Sequence, residues 1–252
     1  MPNYKLTIQY DGGRYKGWQK LGKEENTIQG KLEKVITELT GEETEITGCS
    51  RTDAGVHALA QIANFHTGRP FSRTEMMDYF ARYLPKDISV IDVEIVPEKF
   101  HARYNAKSKT YLYKIWNREY PNPFMRKYSM HVEKKLDLTR MLKAGSYFIG
   151  EHDFTAYSNA KSKKKSMVRR ILSVDIKEEE GFIHIRISGD GFLYNMVRKM
   201  VGTLIEAGLG NIEAGDIPDI IDSGIRKETG RMAEPWGLYL ERIEYTQISE
   251  EP

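Results

Sequence analysis

Apolar and polar residues alternate from the start of the chain. In "YKLTIQY", residues 4 to 10, Tyr4, Leu6, Ile8 and Tyr10 fall on one side, the pattern of a half-buried strand. Asp11-Gly12-Gly13 ends it with turn formers. The period then lengthens. Asn26, with Gln29 three residues on, predicts a helix start, and Ile28, Leu32, Val35, Ile36 and Leu39 form its apolar stripe, closed by Gly41. Period two returns in "ETEITGCS" (43 to 50) and "VHALAQIANFH" (56 to 66). Ser72 and Glu75 form a capping box for a helix through Tyr83 that stops before Pro85, and "ISVIDVEIV" (88 to 96) is the next strand. The predicted order is β-α-β-β-α-β.

The same order repeats. "KTYLYKIW" (109 to 116) is a strand, and Asp137 caps a helix running to about Phe148. "RRILSVDIKEE" and "GFIHIRISGDG" make a hairpin around Gly181, and "FLYNMVRKMVGTLIEAG" (192 to 208) is an amphipathic helix with Leu193, Met196, Val197, Met200, Val201, Leu204 and Ile205 on its core side. "PWGLYLERIEY" (235 to 245) closes the chain as a strand. The fold class is therefore α+β, built from two ferredoxin-like units over residues 1–104 and 105–252. If their edge strands join, the units share one continuous, mainly antiparallel sheet. Helices then cover one face, and the other forms a long cleft for a ligand.

Composition changes this picture little. The chain has 252 residues, 40% hydrophobic and 29% charged, and no stretch approaches the roughly 18 apolar residues of a membrane span. The N-terminus runs straight into a strand pattern without the apolar core of a signal peptide. A single cysteine, Cys49, excludes an internal disulfide and fits a reducing cytoplasm. The six histidines lack close ligand spacing, so no metal site is expected.

Charge matters through its distribution. Net charge is only +2, yet "AKSKKKSMVRR" (160 to 170) gathers Lys161, Lys163, Lys164, Lys165, Arg169 and Arg170 without an acid. Such a block is either a solvated loop or a patch that tracks nucleic-acid phosphates. Arg14, Lys16, Lys20 and Lys23 form a second cluster with Tyr15 and Trp18 interleaved, a mixture that suits phosphate neutralisation and base stacking on RNA.

Candidate chemistry concentrates in "GCSRTDAGVHALAQIANFH", residues 48 to 66. Asp53 sits in an Asp-Ala-Gly turn between two predicted strands. It is there either because aspartate and glycine make turns or because Arg51 keeps it ionised as a nucleophile or base. No second carboxylate at hydrolase spacing, no Ser/His pair and no glycine-rich phosphate cradle accompanies it. An aspartate-dependent hydrolase is thereby disfavoured, and the residues alone reach no further than an aspartate-centred site in an RNA-sized cleft.

"SRTDAGVHALAQ" resembles the active-site signature of the TruA-type tRNA pseudouridine synthases. The resemblance continues in order through "YDGGRYKGWQ", "FHARYNAKSKTYLYKI", "GEHDFTAYS", "FLYNMVRKMVGTL" and "GLYLERIEY". One departure is Ser50, where many members have glycine. The resemblance implies the pseudouridine synthase fold, and an isomerase that converts uridine to pseudouridine at positions 38, 39 and 40 in the anticodon arm of tRNA. It also implies a homodimer and no cofactor. Asp53 would be the catalytic nucleophile or base, and Arg51 would displace the target base. Tyr111 would lie against the uracil, Arg198 would pair with the aspartate, and Leu238 would wall the base. Lys161, Lys163, Lys164 and Lys165 become candidates to grip tRNA. The competing class is a non-catalytic RNA-binding module of two ferredoxin-like units.

Overall fold

The chain's first strand, β1 (Asn3–Tyr10), buries Tyr4, Leu6 and Ile8 and pairs antiparallel with β3 (His57–His66) and β4 (Ile88–Val96) in a computed structural model that describes residues 1–20, 22, 24, 26–159 and 166–246. Two compact units are present. Met1–Lys107, together with the residues from Leu240 to the end of the final strand, make the first, and Ser108–Tyr239 make the second. The fold is α+β with mainly antiparallel pairing in both units.

In the first unit, α1 (Ile28–Thr40) buries Ile28, Leu32, Val35 and Ile36, four of its five predicted stripe positions. Its cap is Thr27 rather than Asn26: the Thr27 hydroxyl accepts the Gly30 N–H at 3.1 Å, while the Asn26 amide donates to the Arg14 carbonyl at 2.8 Å. Gly41 ends the helix in the left-handed region at φ 74°. The predicted strand over 43–50 shrinks to β2 (Thr47–Gly48), paired with β3. Side chains from α1 divert its backbone: Thr37 Oγ1 accepts the Thr44 N–H, and Glu33 Oε1 accepts the Ile46 N–H, both at 3.3 Å. α2 (Arg73–Tyr83) starts as predicted, with Ser72 Oγ accepting the Glu75 N–H at 3.1 Å.

In the second unit, β5 (Ala106–Trp116), β6 (Met130–His131), α3 (Leu138–Ser146), β7 (Gly150–Asp153), β8 (Val168–Glu179) and β9 (Phe182–Gly189) follow in chain order. β5, β9, β8 and β7 are neighbours in that sequence, and β6 runs parallel to the end of β5. The β8–β9 hairpin turns at Glu180 and Gly181, both at positive φ, which glycine accepts without strain. Asp137 caps α3 by accepting the Arg140 N–H at 3.1 Å. α4 (Met196–Leu209) begins four positions later than the predicted 192, because Asn195 turns left-handed at φ 63°. It is followed by α5 (Ile217–Ser223), which like β6 and β7 is too short to leave a periodic signal.

The final strand, β10 (Leu238–Tyr245), is preceded by a 3-10 turn at Pro235–Gly237. Its residues from Leu240 belong with the first unit, not with the expected unit over 105–252. The reason is burial: Ile243 and Tyr245 pack on Cys49, Ile62, Phe100 and Ala102, and the Tyr245 hydroxyl donates to the Ala102 carbonyl at 2.6 Å.

Candidate active site

Asp53 lies in the link between β2 and β3, and this link is held from both sides. At its base, the Cys49 N–H donates to the Ile62 carbonyl at 2.8 Å. The Gln61 carboxamide then pairs with Ser50 like one more rung of the ladder, accepting its N–H at 3.2 Å and donating to its carbonyl at 2.6 Å. Ser50, the departure from the usual glycine, thus keeps its backbone paired. At the tip, the Val56 N–H donates to the Asp53 carbonyl at 3.2 Å, and Gly55 adopts φ 80° to close the turn.

The second support is the stretch 10–18. The Trp18 N–H donates to the Thr52 carbonyl at 3.0 Å, the Tyr10 hydroxyl meets Thr52 Oγ1 at 2.7 Å, and the Gly12 N–H donates to His57 Nδ1 at 3.1 Å. Two glycines make this approach feasible. A Cβ on Gly12 would lie 1.9 Å from the Val56 carbonyl oxygen, and one on Gly17, at φ 95°, would lie 2.6 Å from that of Thr52. Asp53 itself is half-buried. Its backbone is held by these neighbours, which fixes the point from which the carboxylate extends.

Arg51 is exposed, and among the described residues it makes no hydrogen bond or ion pair. The expected Arg51–Asp53 pairing is therefore not formed: Thr52 between them is tied to Tyr10 and Trp18, and Arg51 stands exposed.

The second unit holds Tyr111, Arg198 and Leu238. Tyr111 shares a face of β5 with Tyr113 and Ile115, opposite Ile187, Ile185 and Ile183 of β9. Its ring meets Phe192 edge-on at 5.2 Å between centroids. Tyr113, one turn of the pleat away, is fully enclosed and donates its hydroxyl to the Glu234 carbonyl at 2.8 Å; burial pushes its phenol well above the ordinary value. Arg198 is half-buried on α4. Its Nε donates to the Ala233 carbonyl at 2.8 Å, and Nη1 reaches Asn195 Oδ1 at 3.4 Å. Gly202 admits the backbone of 230–231: a Cβ there would sit 1.8 Å from the Arg231 carbonyl oxygen. That close approach is what lets residue 233 reach Arg198. Leu238 is buried at the start of β10.

The periodicity passed over one supporting residue. Lys199, next to Arg198, is buried, and its ammonium donates to the carbonyls of Ala156 (3.2 Å) and Arg226 (3.4 Å) and to Thr229 Oγ1 (3.3 Å). Burial, then the charge of Arg226, lowers its pKa. It ties α4 to the segment that carries Ala233. Only its position on an otherwise apolar side of α4 could have signalled this.

The basic cluster near the N-terminus is also corrected. Arg14 pairs with Asp87, Lys16 with Glu24, and Lys20 with Glu33 at 3.3 Å. Tyr15 and Trp18 are buried and present no stacking surface. Lys23, like Lys161, Lys163, Lys164 and Lys165, lies outside the described residues. Among the described residues no group of three or more His, Cys, Asp or Glu could hold a metal ion, and no helix is long and apolar enough to cross a membrane.

Asp53 thus stands on a turn braced from two sides in an α+β protein. A family model described as tRNA pseudouridine synthase matches residues 6–105 and 144–246, and the chain belongs to that family, which makes it an isomerase by class. It is 60% identical over 245 residues to tRNA pseudouridine synthase A 2 of Bacillus anthracis, covering 97% of this chain and 100% of that one. Identity is 61% to tRNA pseudouridine synthase A of Bacillus sp. (strain KSM-64) and 46% to that of Acetivibrio thermocellus, each with the same coverage.

Proposed function

We propose that this protein isomerises uridine to pseudouridine at positions 38, 39 and 40 of tRNA, as a homodimer in the cytoplasm and without a cofactor. The observation that carries the reading is the braced Arg51-Thr52-Asp53-Ala54-Gly55 turn in a chain that matches tRNA pseudouridine synthases over nearly its whole length. In the reaction the bond from C1′ to N1 of the uracil breaks, the base turns, and C1′ bonds to C5. The proton on C5 leaves and N1 gains one, so nothing is oxidised or reduced and no energy source is consumed.

Asp53 is assigned as the nucleophile at the sugar or as the base that takes its proton. The target base must first leave its stack, at a cost of a few kcal/mol. Arg51, exposed and unpaired, is assigned to displacing it and filling the space. Tyr111 is assigned to lie against the uracil, Leu238 to wall it, and Arg198 to balance the carboxylate's charge. Its tie to Ala233 supports that role by restricting the guanidinium to few rotamers. Lys161, Lys163, Lys164 and Lys165 are assigned to tRNA phosphates.

Release of tritium from C5-labelled uridine in tRNA tests the reading directly, because only substitution at C5 ejects the label. Asp53→Asn should bind tRNA as the wild type does and release tritium below about a hundredth of its rate. Turnover above that removes Asp53 as the essential group. Wild-type protein that binds tRNA but releases no tritium would instead be the non-catalytic RNA-binding module. Transcripts with cytidine at 38, 39 or 40 in turn identify the positions used.

A further inference from the structure

Two aromatic rings stand far out from the second unit. Phe124 is 86% exposed and Tyr120 is 73% exposed, both in "REYPNPFMRKY", residues 118 to 128, between β5 and β6. Large apolar side chains placed so openly, close together, mark a surface that meets something else.

The segment that carries them is built rather than loose. Asn122 Oδ1 accepts the N–H groups of Phe124 at 3.0 Å and Met125 at 3.3 Å, an Asx turn. The Trp116 indole donates to the Tyr120 carbonyl at 2.8 Å, and the Tyr239 hydroxyl donates to the Tyr128 carbonyl at 2.7 Å. Pro121 and Pro123 fix two φ angles between these anchors. The rings are thus held outward by a loop whose ordering cost was met on folding, so a partner gains their contact without paying it again.

Charge identifies the partner. Arg118, Arg126 and Lys127 stand against one acid, Glu119, within the segment. Arg118 faces Glu178 at 3.6 Å, but Arg126, whose guanidinium donates only to the Pro123 carbonyl at 2.6 Å, has no carboxylate partner among the described residues. Flat rings flanked by cations fit unpaired bases and their phosphates. A second copy of this chain fits badly, since a two-fold contact would set this segment, with three basic residues and one acid, against an equally basic copy of itself.

We propose that residues 118–128 form an RNA-contacting finger, in which Phe124 and Tyr120 stack on unpaired bases of the tRNA and Arg126 neutralises a phosphate. The proposal rests on the tRNA-modifying reading above and adds an element that the family's catalytic motifs do not include.

The test measures binding of a full-length tRNA transcript at several salt concentrations, beside sedimentation velocity of the free protein and tritium release at saturating tRNA. Phe124→Ala should weaken binding by about 5- to 150-fold at every salt concentration, leaving the salt slope unchanged, since stacking releases no counterions. Phe124→Trp should restore affinity. Arg126→Gln should reduce the log–log slope by about 0.7. Release at saturating tRNA and the sedimentation coefficient should stay at wild-type values for all three. Unchanged affinity for Phe124→Ala overturns the proposal. So does a changed sedimentation coefficient, with or without weaker binding, because it assigns the rings to a contact between copies. Absence of tritium release from the wild type defeats the enzymatic reading instead, so the two failures are distinguishable.

Discussion

Replacing Gly17 with alanine should slow catalysis through its contact with the Asp53 turn. Gly17 has φ 95°, where a residue with a Cβ costs about 1–3 kcal/mol. The new methyl would lie 2.6 Å from the Thr52 carbonyl oxygen, and real Cβ atoms essentially never approach closer than 3.0 Å, so something must yield by at least 0.4 Å, the difference between the two. The glycine side has little freedom. The Lys16 N–H is bound to the Asn26 carbonyl at 3.0 Å, the Gly17 carbonyl accepts the Ile28 N–H at 3.1 Å, and Trp18 is buried against Gly48. The displacement therefore passes to Thr52 and Asp53. If a misplacement of about 1 Å costs on the order of a hundredfold, 0.4 Å costs on the order of five- to tenfold in the chemical step. The strain alone should lower Tm by about 2–12 °C.

The assay is single-turnover tritium release at saturating tRNA, with thermal unfolding in parallel. Gly41→Ala is the control: its φ is 74°, nothing lies within 4 Å of the added Cβ, and it ends α1 away from the turn. It should lose stability without losing rate. A wild-type rate for Gly17→Ala, or an equal rate loss for Gly41→Ala, refutes the idea that the 10–18 stretch sets the position of Asp53.

The same stretch carries an acid-sensitive tie. Burial raises the Asp87 carboxyl, but hydrogen bonds from Tyr15, at 2.6 Å, and Arg14 outweigh it and leave the pKa lowered. A lowered carboxyl contributes stability above its unfolded value and loses it as pH falls through the folded one. The Tm gap between wild type and Asp87→Asn should therefore be constant near neutrality and close below about pH 4; a gap that persists in acid refutes the tie. For the basic stretch, replacing Lys161, Lys163, Lys164 and Lys165 together with alanine should weaken tRNA binding across species and flatten its salt dependence by roughly 0.7 to 0.9 per lost contact. An unchanged slope makes those lysines a solvated surface.

What the sequence determined by itself was local. The strand alternation of 4–10, the caps at Ser72 and Asp137 and the hairpin at Gly181 depend on residues within one turn of each other, and all stand in the structure. The Arg-Thr-Asp-Ala-Gly turn was legible for the same reason, and with the ordered motifs around it pointed to the family. Tertiary structure decided everything that depended on a distant partner. Asp87 and Glu33 neutralise a cluster that looks basic on paper, and Tyr15 and Trp18 are buried rather than offered to RNA. Helix side chains take the N–H groups of residues 44 and 46 and cut β2 short. The last strand joins the first unit because Ile243 and Tyr245 find their apolar surface there. A hydrophobic period states which face of an element is to be covered, but it carries no information about what covers it. For that reason neither the second brace of the Asp53 turn nor the outward rings of residues 118–128 could be read before the chain was folded.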